Sequence, residues 1–286
     1  MTNKTRLRYE TAVARILPFL EKQADLKDLD HVVCDWIEMQ WARGESVGWI
    51  ADALSGLHFF WPEIKGCLRE SWRMFRSWRR VEAPQRAPPM TTCIAKAIIG
   101  RAVDLNNLPF ACLIGLGFHC MLRTGELLAI QFKDLEISRS SGIISLYSSK
   151  SGLRTGTQEA VSIRDSLVLN LLATLVAVQK PCPGETLWPY SAQFFRETLK
   201  RYMGSFRLAD LNLKPYSLRR GGATYLLQCG VPLDVILLRG RWRSLSVARL
   251  YLQDGLAQIP HLRINSTDTD RLVTFAAKCP ETTFRP

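Results

Sequence analysis

The side chains best suited to chemistry lie in one stretch, residues 216–251, which reads YSLRRGGATYLLQCGVPLDVILLRGRWRSLSVARLY. It contains Tyr216, Arg219, Trp242 and Tyr251. Cleavage of a phosphodiester without a metal needs a nucleophile, positive charge on the non-bridging oxygens and an acid for the leaving oxygen. A tyrosine can supply the nucleophile. Arginine suits the second task because its guanidinium stays charged and offers planar donors.

Two further cations lie upstream of this stretch. Arg123 is in the segment MLRTGELL, at a turn between two predicted helices, and Lys150 is in the polar turn SSKSGLRTGT. Thr124 is predicted to cap the helix after Arg123. Glu126 falls in the first turn of that helix, where a carboxylate suits the positive end of the helix dipole. Arg154 shares the turn of Lys150 and is an alternative to it.

In this order the residues resemble the tyrosine recombinase (phage-integrase-like) family. That family has an H-x-x-R box, then a His or Trp, then the tyrosine nucleophile. Here the box reads YSLR from Tyr216 to Arg219, Trp242 takes the His/Trp place, and Tyr251 follows nine residues later (251 − 242 = 9). The run RRGGAT…GVPLD…LRGRW…Y is most similar to recombinases of eukaryotic mobile elements.

The resemblance implies a role for each matched residue. Tyr251 would attack the DNA and form a 3′-phosphotyrosine bond, while Arg123 and Arg219 would hold the non-bridging oxygens. Lys150 would protonate the leaving 5′ oxygen, and Trp242 would donate its indole N–H to the phosphate. The implied activity is a DNA strand transferase that needs no metal, no ATP and no cofactor, and that works on duplex DNA as a tetramer.

Glu126 would hold a catalytic arginine in place.

Tyr216 departs from the family pattern, because the family usually has His or Lys at this position. A phenol can form a hydrogen bond to phosphate, but it is a poor general base near neutral pH, where imidazole titrates. Three explanations stay open: another group or water takes the proton of Tyr251, the enzyme is slow, or the chain is a domesticated, weakly active DNA-binding protein. The other positions match, which favours an active enzyme.

Taken singly, each of these residues has an ordinary explanation. Tyr251 and Trp242 would be packing residues, and Lys150 would be a solvent-exposed turn residue. Arg239 and other arginines of the stretch compete with Arg219 for any one contact. Three of these arginines are predicted to contact DNA: Arg220, Arg241 and Arg243.

Two functions other than recombination are possible for the chain. One is a type IB topoisomerase, and the other is a non-catalytic regulator that uses 217–239 as a helix-turn-helix.

The composition favours a polyanionic partner. The chain has 286 residues, 47% of them hydrophobic, and a net charge of +12. Such an excess of positive charge is typical of nucleic-acid binding, although a basic solvated surface is the alternative. The N-terminus lacks a secretory signal, and the most apolar segment, 167–178, is too short to span a bilayer. We therefore expect no membrane partner; the compartment would be the nucleus in a eukaryote or the cytoplasm in a bacterium.

The cysteines and histidines do not indicate a metal centre. Eight cysteines form no CxxC pair and are predicted to be buried thiols in a reducing compartment. The four histidines are scattered, so no zinc site is predicted.

The elements that must position these residues fall into two predicted domains. Residues 1–82 are predicted to form a helical N-terminal domain, which the resemblance makes a core-binding (SAM-like) domain. Residues 83–90 contain prolines and are predicted to be a linker. Residues 91–286 would form the catalytic domain with a C-terminal helix. The fold class is therefore mainly α with a small antiparallel β-sheet, in a two-domain DNA clamp.

Helical periodicity and strand-like runs place the individual elements. In the first domain, Pro18 should kink or end the first helix. A helix from about residue 68 has a row of arginines on one face, namely Arg69, Arg73, Arg76 and Arg80. This row is either a solvated helix face or a ridge that binds phosphates. The second domain is predicted to have helices near 91–103, 108–122, 166–179, 191–203, 223–229, 232–239 and 267–278. Ser217 is predicted to cap the helix before Gly230, and Pro232 to open the next one. Strands are predicted at 132–137, 142–147 and 159–163, and a loop after Tyr251. The last helix is predicted to dock on a neighbouring subunit.

Overall fold

The computed structural model describes residues 2–21, 29–82, 86–147, 159–179, 182–252 and 254–279. The chain divides into two compact units, Met1–Arg86 and Ala87–Pro286. The division falls inside the segment 83–90. None of the described helices is both long enough and apolar enough to cross a membrane.

The first unit consists of helices around one apolar core. They are α1 (Asn3–Leu20), α2 (Leu29–Ala42), α3 (Gly48–Phe60) and α4 (Arg69–Val81). The Thr2 hydroxyl caps α1 by accepting from the Thr5 N–H at 3.3 Å. Pro18 lies inside the last turn of α1, and the helix ends two residues later, in agreement with the prediction that this proline kinks or ends it. Trp36 and Trp78 are fully or almost fully buried, so these tryptophans belong to the core.

The second unit is also mainly helical and contains one small sheet. Strands β1 (Leu135–Ile137), β2 (Gly142–Leu146) and β3 (Glu159–Ile163) pair antiparallel in the order β1-β2-β3. Leu135 lies opposite Ile144, which in turn lies opposite Val161. The predicted strand 132–137 is shorter than expected because its first three residues form a 3-10 turn. The predicted fold class, mainly α with a small antiparallel sheet, is confirmed.

The helices of this unit surround a buried central helix. In chain order they are α5 (Thr92–Asp104), α6 (Leu108–His119), α7 (Thr124–Ala129), α8 (Ser166–Gln179), α9 (Ala192–Ser205), α10 (Tyr216–Gln228), α11 (Leu233–Gly240), α12 (Leu245–Ala248), α13 (Asp254–Arg263) and α14 (Ser266–Ala277). All but the first two residues of α6 are buried. Glycine lets α10 lie directly against α6, since a Cβ atom at Gly222 would stand 2.0 Å from the Phe118 carbonyl oxygen. This close packing brings Arg219 of α10 next to the end of α6.

Several predictions about local structure are wrong. Helix α10 begins at Tyr216 rather than near residue 223. Ser217 does not cap it; the Ser217 hydroxyl instead accepts from the Lys214 N–H at 3.1 Å, in the preceding turn. Gly230 has φ +75°, the left-handed conformation predicted for a helix exit, and Pro232 precedes α11 as predicted. The segment after Tyr251 contains a helix, α13, where a loop was predicted.

The cysteines differ from expectation, whereas the last helix lies almost where it was predicted. Cys67, Cys182 and Cys229 are exposed, so the prediction that the cysteines are buried is wrong for these three. Helix α14 packs on α5 of its own chain, where a Cβ atom at Gly100 would lie 1.9 Å from the Phe275 carbonyl oxygen. The face of α14 that packs on α5 is therefore not available to a neighbouring subunit, whereas the opposite face, which includes Val273, is exposed.

Candidate active site

Arg219 is the buried cation of the site. The residue has no exposed surface, and its guanidinium donates from Nη1 to the Met121 carbonyl and from Nη2 to the Gly240 carbonyl at 2.6 Å. Burial, together with the nearby charges of Arg241 and Arg123, lowers the pKa of Arg219 to about 10. The guanidinium therefore remains charged at neutral pH.

Trp242 packs against this guanidinium. The Arg219 Cζ atom lies 4.7 Å from the centre of the Trp242 ring, a cation–π distance. The indole is close to the backbone of Gly240, where a Cβ atom would lie 2.0 Å from Cζ3 of the ring. Arg241, between these two residues, ends α11 in the left-handed conformation (φ 55°, ψ 43°). This conformation costs a residue other than glycine about 1–2 kcal/mol.

Tyr251 lies at the same place, beside both the tryptophan and the arginine. Its ring centre is 4.8 Å from that of Trp242 and 5.3 Å from the Arg219 Cζ atom. The Tyr251 carbonyl accepts a hydrogen bond from the Thr224 hydroxyl at 3.3 Å, which ties the segment after α12 to α10. The predicted nucleophile and the predicted phosphate-binding arginine are therefore neighbours within one chain.

Tyr216 contacts the hydroxyl of Tyr251 directly. The two phenol oxygens share a short hydrogen bond, and the ring centres are 5.6 Å apart. Burial and the contact with Tyr251, against the opposing charges of Arg219 and Arg123, raise the pKa of Tyr216 to about 12. Tyr216 is therefore neutral through the physiological range and can donate a hydrogen bond to the oxygen of Tyr251.

Glu126 binds both the main chain and the side chain of Arg123. Its Oε2 atom accepts a hydrogen bond from the Arg123 main-chain N–H at 2.9 Å, and its Oε1 atom forms an ion pair with Arg123 Nη1. Burial disfavours the charge on Glu126, but Arg241 and Arg123 together keep the pKa of this carboxyl below its ordinary value. The prediction that Thr124 caps this helix is wrong, because Thr124 is the first residue of α7 and Arg123 is at the cap position. The Arg123 side chain keeps 29% of its surface exposed, so it can reach a bound ligand.

Unsatisfied donors in this cluster favour an anionic ligand. Arg219 Nε and Trp242 Nε1 are buried N–H groups that find no hydrogen-bond acceptor within the described parts of the chain. Buried donors without a partner are rare in folded proteins and call for an explanation. These two belong to the stack that also includes Tyr251, so the unpaired donors lie directly behind the Tyr251 hydroxyl, where an anion would add negative charge.

The structure thus brings together most of the predicted site residues. They are Arg123, Glu126, Tyr216, Arg219, Trp242 and Tyr251. The predicted general acid, Lys150, lies outside the described residues, as does Arg154.

The remaining predicted DNA contacts have different surroundings. The arginine row of α4 is exposed, and its Arg73 pairs with Glu70 at 2.8 Å. Arg243 is exposed beside Trp242. Arg220, by contrast, is buried and donates to the Ala87 carbonyl and, at 2.5 Å, to the Leu250 carbonyl. Its placement gives no support to a role in DNA binding; it fastens main-chain segments instead.

Arg241 has a position that the sequence did not indicate. Only 8% of its side chain is exposed, and Nη2 lies 2.5 Å from Glu126 Oε2. The prediction of a DNA contact therefore gains no support from its placement. Sequence reasoning also missed the carbonyls of Met121 and Gly240, since no side-chain type signals a main-chain acceptor.

Comparisons with known proteins show the family of the chain. Residues 95–256 match the phage integrase family, and this range contains every predicted catalytic residue. The chain belongs to that family, the tyrosine recombinases, and has a recombinase function as a DNA strand transferase. No curated protein sequence matches the chain significantly.

Solved structures show the same fold at low sequence identity. The chain is similar to a Tn1549 transposon integrase in complex with transposon right end DNA, with 15% identity, a TM-score of 0.64 and coverage of 92% of this chain and 95% of that one. It is also similar to the XerH site-specific recombinase bound to palindromic difH substrate in a post-cleavage complex. There the identity is 14%, the TM-score 0.55, and the coverage 90% of this chain and 76% of that one.

Proposed function

We propose that the chain cleaves and rejoins duplex DNA through a covalent bond between Tyr251 and the DNA 3′ end. The phenol oxygen attacks phosphorus, the bond from phosphorus to the 5′ oxygen breaks, and that oxygen leaves with a proton as a 5′-hydroxyl. Attack of a 5′-hydroxyl from another strand reverses the step and releases Tyr251. Since the phosphotyrosine keeps the energy of the phosphodiester, the reaction requires no ATP.

The stack of Arg219, Trp242 and Tyr251 is the observation that supports this proposal most. It combines a nucleophile, a fixed positive charge and an unsatisfied indole N–H within contact distance. Preorganised donors of this kind stabilise the charge that develops on the non-bridging oxygens. Arg123, which Glu126 fixes at the start of α7, would add the second guanidinium. Charge stabilisation by two arginines makes a metal ion unnecessary for this step.

We further propose that the active form is a tetramer on two duplexes, as in a strand-exchange reaction. Exchange between two duplexes requires four cleaved strands, and each chain carries one nucleophile. The exposed arginine row of α4 and the net charge of +12 suit a long contact with phosphates.

A covalent adduct is the direct test. The DNA bound by the chain would first be selected from a random duplex pool. A nick beside the cleavage position would then let the short 5′-hydroxyl strand diffuse away and trap the adduct. We expect a slower band on a denaturing gel for the wild-type chain, also in EDTA and without ATP. Tyr251→Phe should give no band, whereas Tyr9→Phe, a matched change in α1, should give the wild-type amount.

Two other functions are distinguished by this experiment together with assays of plasmid relaxation and of exchange between two duplexes. Binding of selected DNA without any adduct would favour a non-catalytic DNA-binding protein, an alternative that the presence of Tyr216 in place of histidine keeps open. An adduct accompanied by relaxation of supercoiled plasmid, but without exchange between two duplexes, would favour a type IB topoisomerase.

A further inference from the structure

Arg241 is an arginine in a backbone conformation that favours glycine. Its φ of 55° is in the left-handed region, where a Cβ atom crowds the following carbonyl. Strained residues of this kind persist where the surrounding contacts hold them, and they are frequent at functional sites. The contacts here are ionic: the guanidinium lies 2.5 Å from Glu126 and 3.4 Å from Glu159.

The two oxygens of Glu126 are divided between two arginines. Oε1 pairs with the Arg123 side chain, and Oε2 pairs with Arg241 Nη2 and with the Arg123 main-chain N–H. Without Arg241, Oε2 would have only a main-chain partner, and the carboxylate could rotate to bind the Arg123 fork with both oxygens. Arg241 therefore fixes the rotation of the carboxylate on which the Arg123 guanidinium rests.

Arg241 also connects this carboxylate with the sheet. Glu159, the first residue of β3, lies 3.4 Å from Arg241 Nε, an ion-pair distance rather than a well-aligned hydrogen bond. The result is a chain of alternating charges, Arg123–Glu126–Arg241–Glu159, in which Arg241 and Glu126 are almost completely buried. Within the described residues, Nε and Nη1 of Arg241 have no hydrogen-bond acceptor, so the contact between Nη2 and Glu126 is the one that holds the guanidinium.

We propose that Arg241 is a positioning residue, which locks Glu126 so that Arg123 is presented to the phosphate under attack. The inference rests on the proposed function, since it assigns Arg241 an effect on the rate of DNA cleavage. It replaces the direct DNA contact that the sequence suggested for this arginine.

The substitution Arg241→Gly separates this role from support of the fold. Glycine adopts the left-handed conformation without strain, so the backbone geometry is favoured while the guanidinium is lost. We expect the rate of adduct formation at saturating DNA to fall about 10- to 100-fold, since misplacement by about 1 Å can cost about 10²-fold. The affinity for selected DNA should stay unchanged. Arg207→Gly is the matched control, because Arg207 is an exposed arginine with φ 60°, and it should keep the wild-type rate.

A double-mutant cycle shows whether Arg241 acts through Arg123. In an Arg123→Lys background, Arg241→Gly should cause little further loss of rate, because the group that it positions is already absent. An equal fractional loss in both backgrounds, or a wild-type rate for Arg241→Gly alone, overturns the inference while the proposed function stands. Failure of the wild-type chain itself to form an adduct overturns the proposed function, and this inference with it.

Discussion

Substitution of Gly240 by alanine tests the packing of the tryptophan in the site. A Cβ atom at position 240 would lie 2.0 Å from Cζ3 and 2.2 Å from Cε3 of Trp242. Carbon atoms in contact are about 3.5–4.0 Å apart, so the ring or the turn must move by about 1.5 Å. The same ring contacts the Arg219 guanidinium and the Tyr251 ring, so its displacement reaches both groups.

The expected effect is large on the rate and moderate on stability. Overpacking of this kind typically costs about 1–3 kcal/mol, whereas folded domains have about 5–15 kcal/mol in total. The Gly240→Ala chain should therefore stay folded. Its rate of adduct formation should fall about 100-fold, because misplacement of reacting groups by about 1 Å has an effect of that size.

The assay is a single-turnover measurement of adduct formation, combined with thermal unfolding. Gly204→Ala is the control, since an added Cβ there meets no described atom within 4 Å and alanine is favoured over glycine in α9. It should keep the wild-type rate, with a melting temperature equal to or slightly above that of the wild type. If Gly240→Ala also kept both, the indole would not rest on the backbone of residue 240, and the stack built on it would be refuted.

Three other predictions concern pH and DNA affinity. Tyr216→His should introduce a rise in cleavage rate with pH near pH 6.5, because only the neutral imidazole can take a proton; an unchanged pH–rate profile would show that residue 216 does not act on the Tyr251 proton. Burial, together with the charges of Arg239 and Arg164, lowers the pKa of His119 to about 3 in the folded chain. Between about pH 3 and pH 6.5, His119 is therefore protonated in the unfolded chain and neutral in the folded chain. Stability should therefore fall by up to about 1.4 kcal/mol per pH unit as the pH drops below about 6.5, and His119→Gln should flatten this fall in a urea titration series. Changing the exposed arginines of α4 to glutamine should weaken DNA binding and lower the salt dependence of the binding constant. These arginines are Arg69, Arg73, Arg76 and Arg80. An unaltered salt dependence would show that they form a solvated helix face.

The sequence predicted the elements whose local signals agree with their packing. The helix Leu108–His119 and the strand Glu159–Ile163 were predicted from apolar runs and turn residues, and the structure has them at nearly those places. The start of α10 was missed because its first turns contain arginines and two glycines, which are unfavourable in an isolated helix. These glycines are instead required by close approach to the Met90 carbonyl, at Gly221, and to the Phe118 carbonyl of α6, at Gly222, a tertiary effect that no local pattern reveals.

The roles of individual arginines could not be separated by sequence alone. Arg219, Arg220, Arg241 and Arg243 lie within one short basic region and have the same chemistry. The family pattern selected Arg219. Only the folded chain shows that Arg220 fastens main-chain carbonyls and that Arg241 pairs with Glu126, whereas Arg243 is exposed. The different roles of these arginines depend on the direction in which each side chain points, near the start of α10 and the end of α11.

The surroundings of Arg219 indicate that the site relies on fixed positive charge rather than on a titrating base. Its two hydrogen-bond acceptors are main-chain carbonyls, which orient the guanidinium without neutralising it, whereas Arg123 shares its charge with Glu126. A buried cation without a directly bonded carboxylate is costly, and a bound phosphate would offset that cost. The neighbouring phenol of Tyr216 can donate to the Tyr251 oxygen but cannot readily take its proton near neutral pH, because its pKa is raised to about 12. Two guanidiniums and a donated hydrogen bond both stabilise a phenolate, so the nucleophile can form by loss of its proton to water or to the leaving strand.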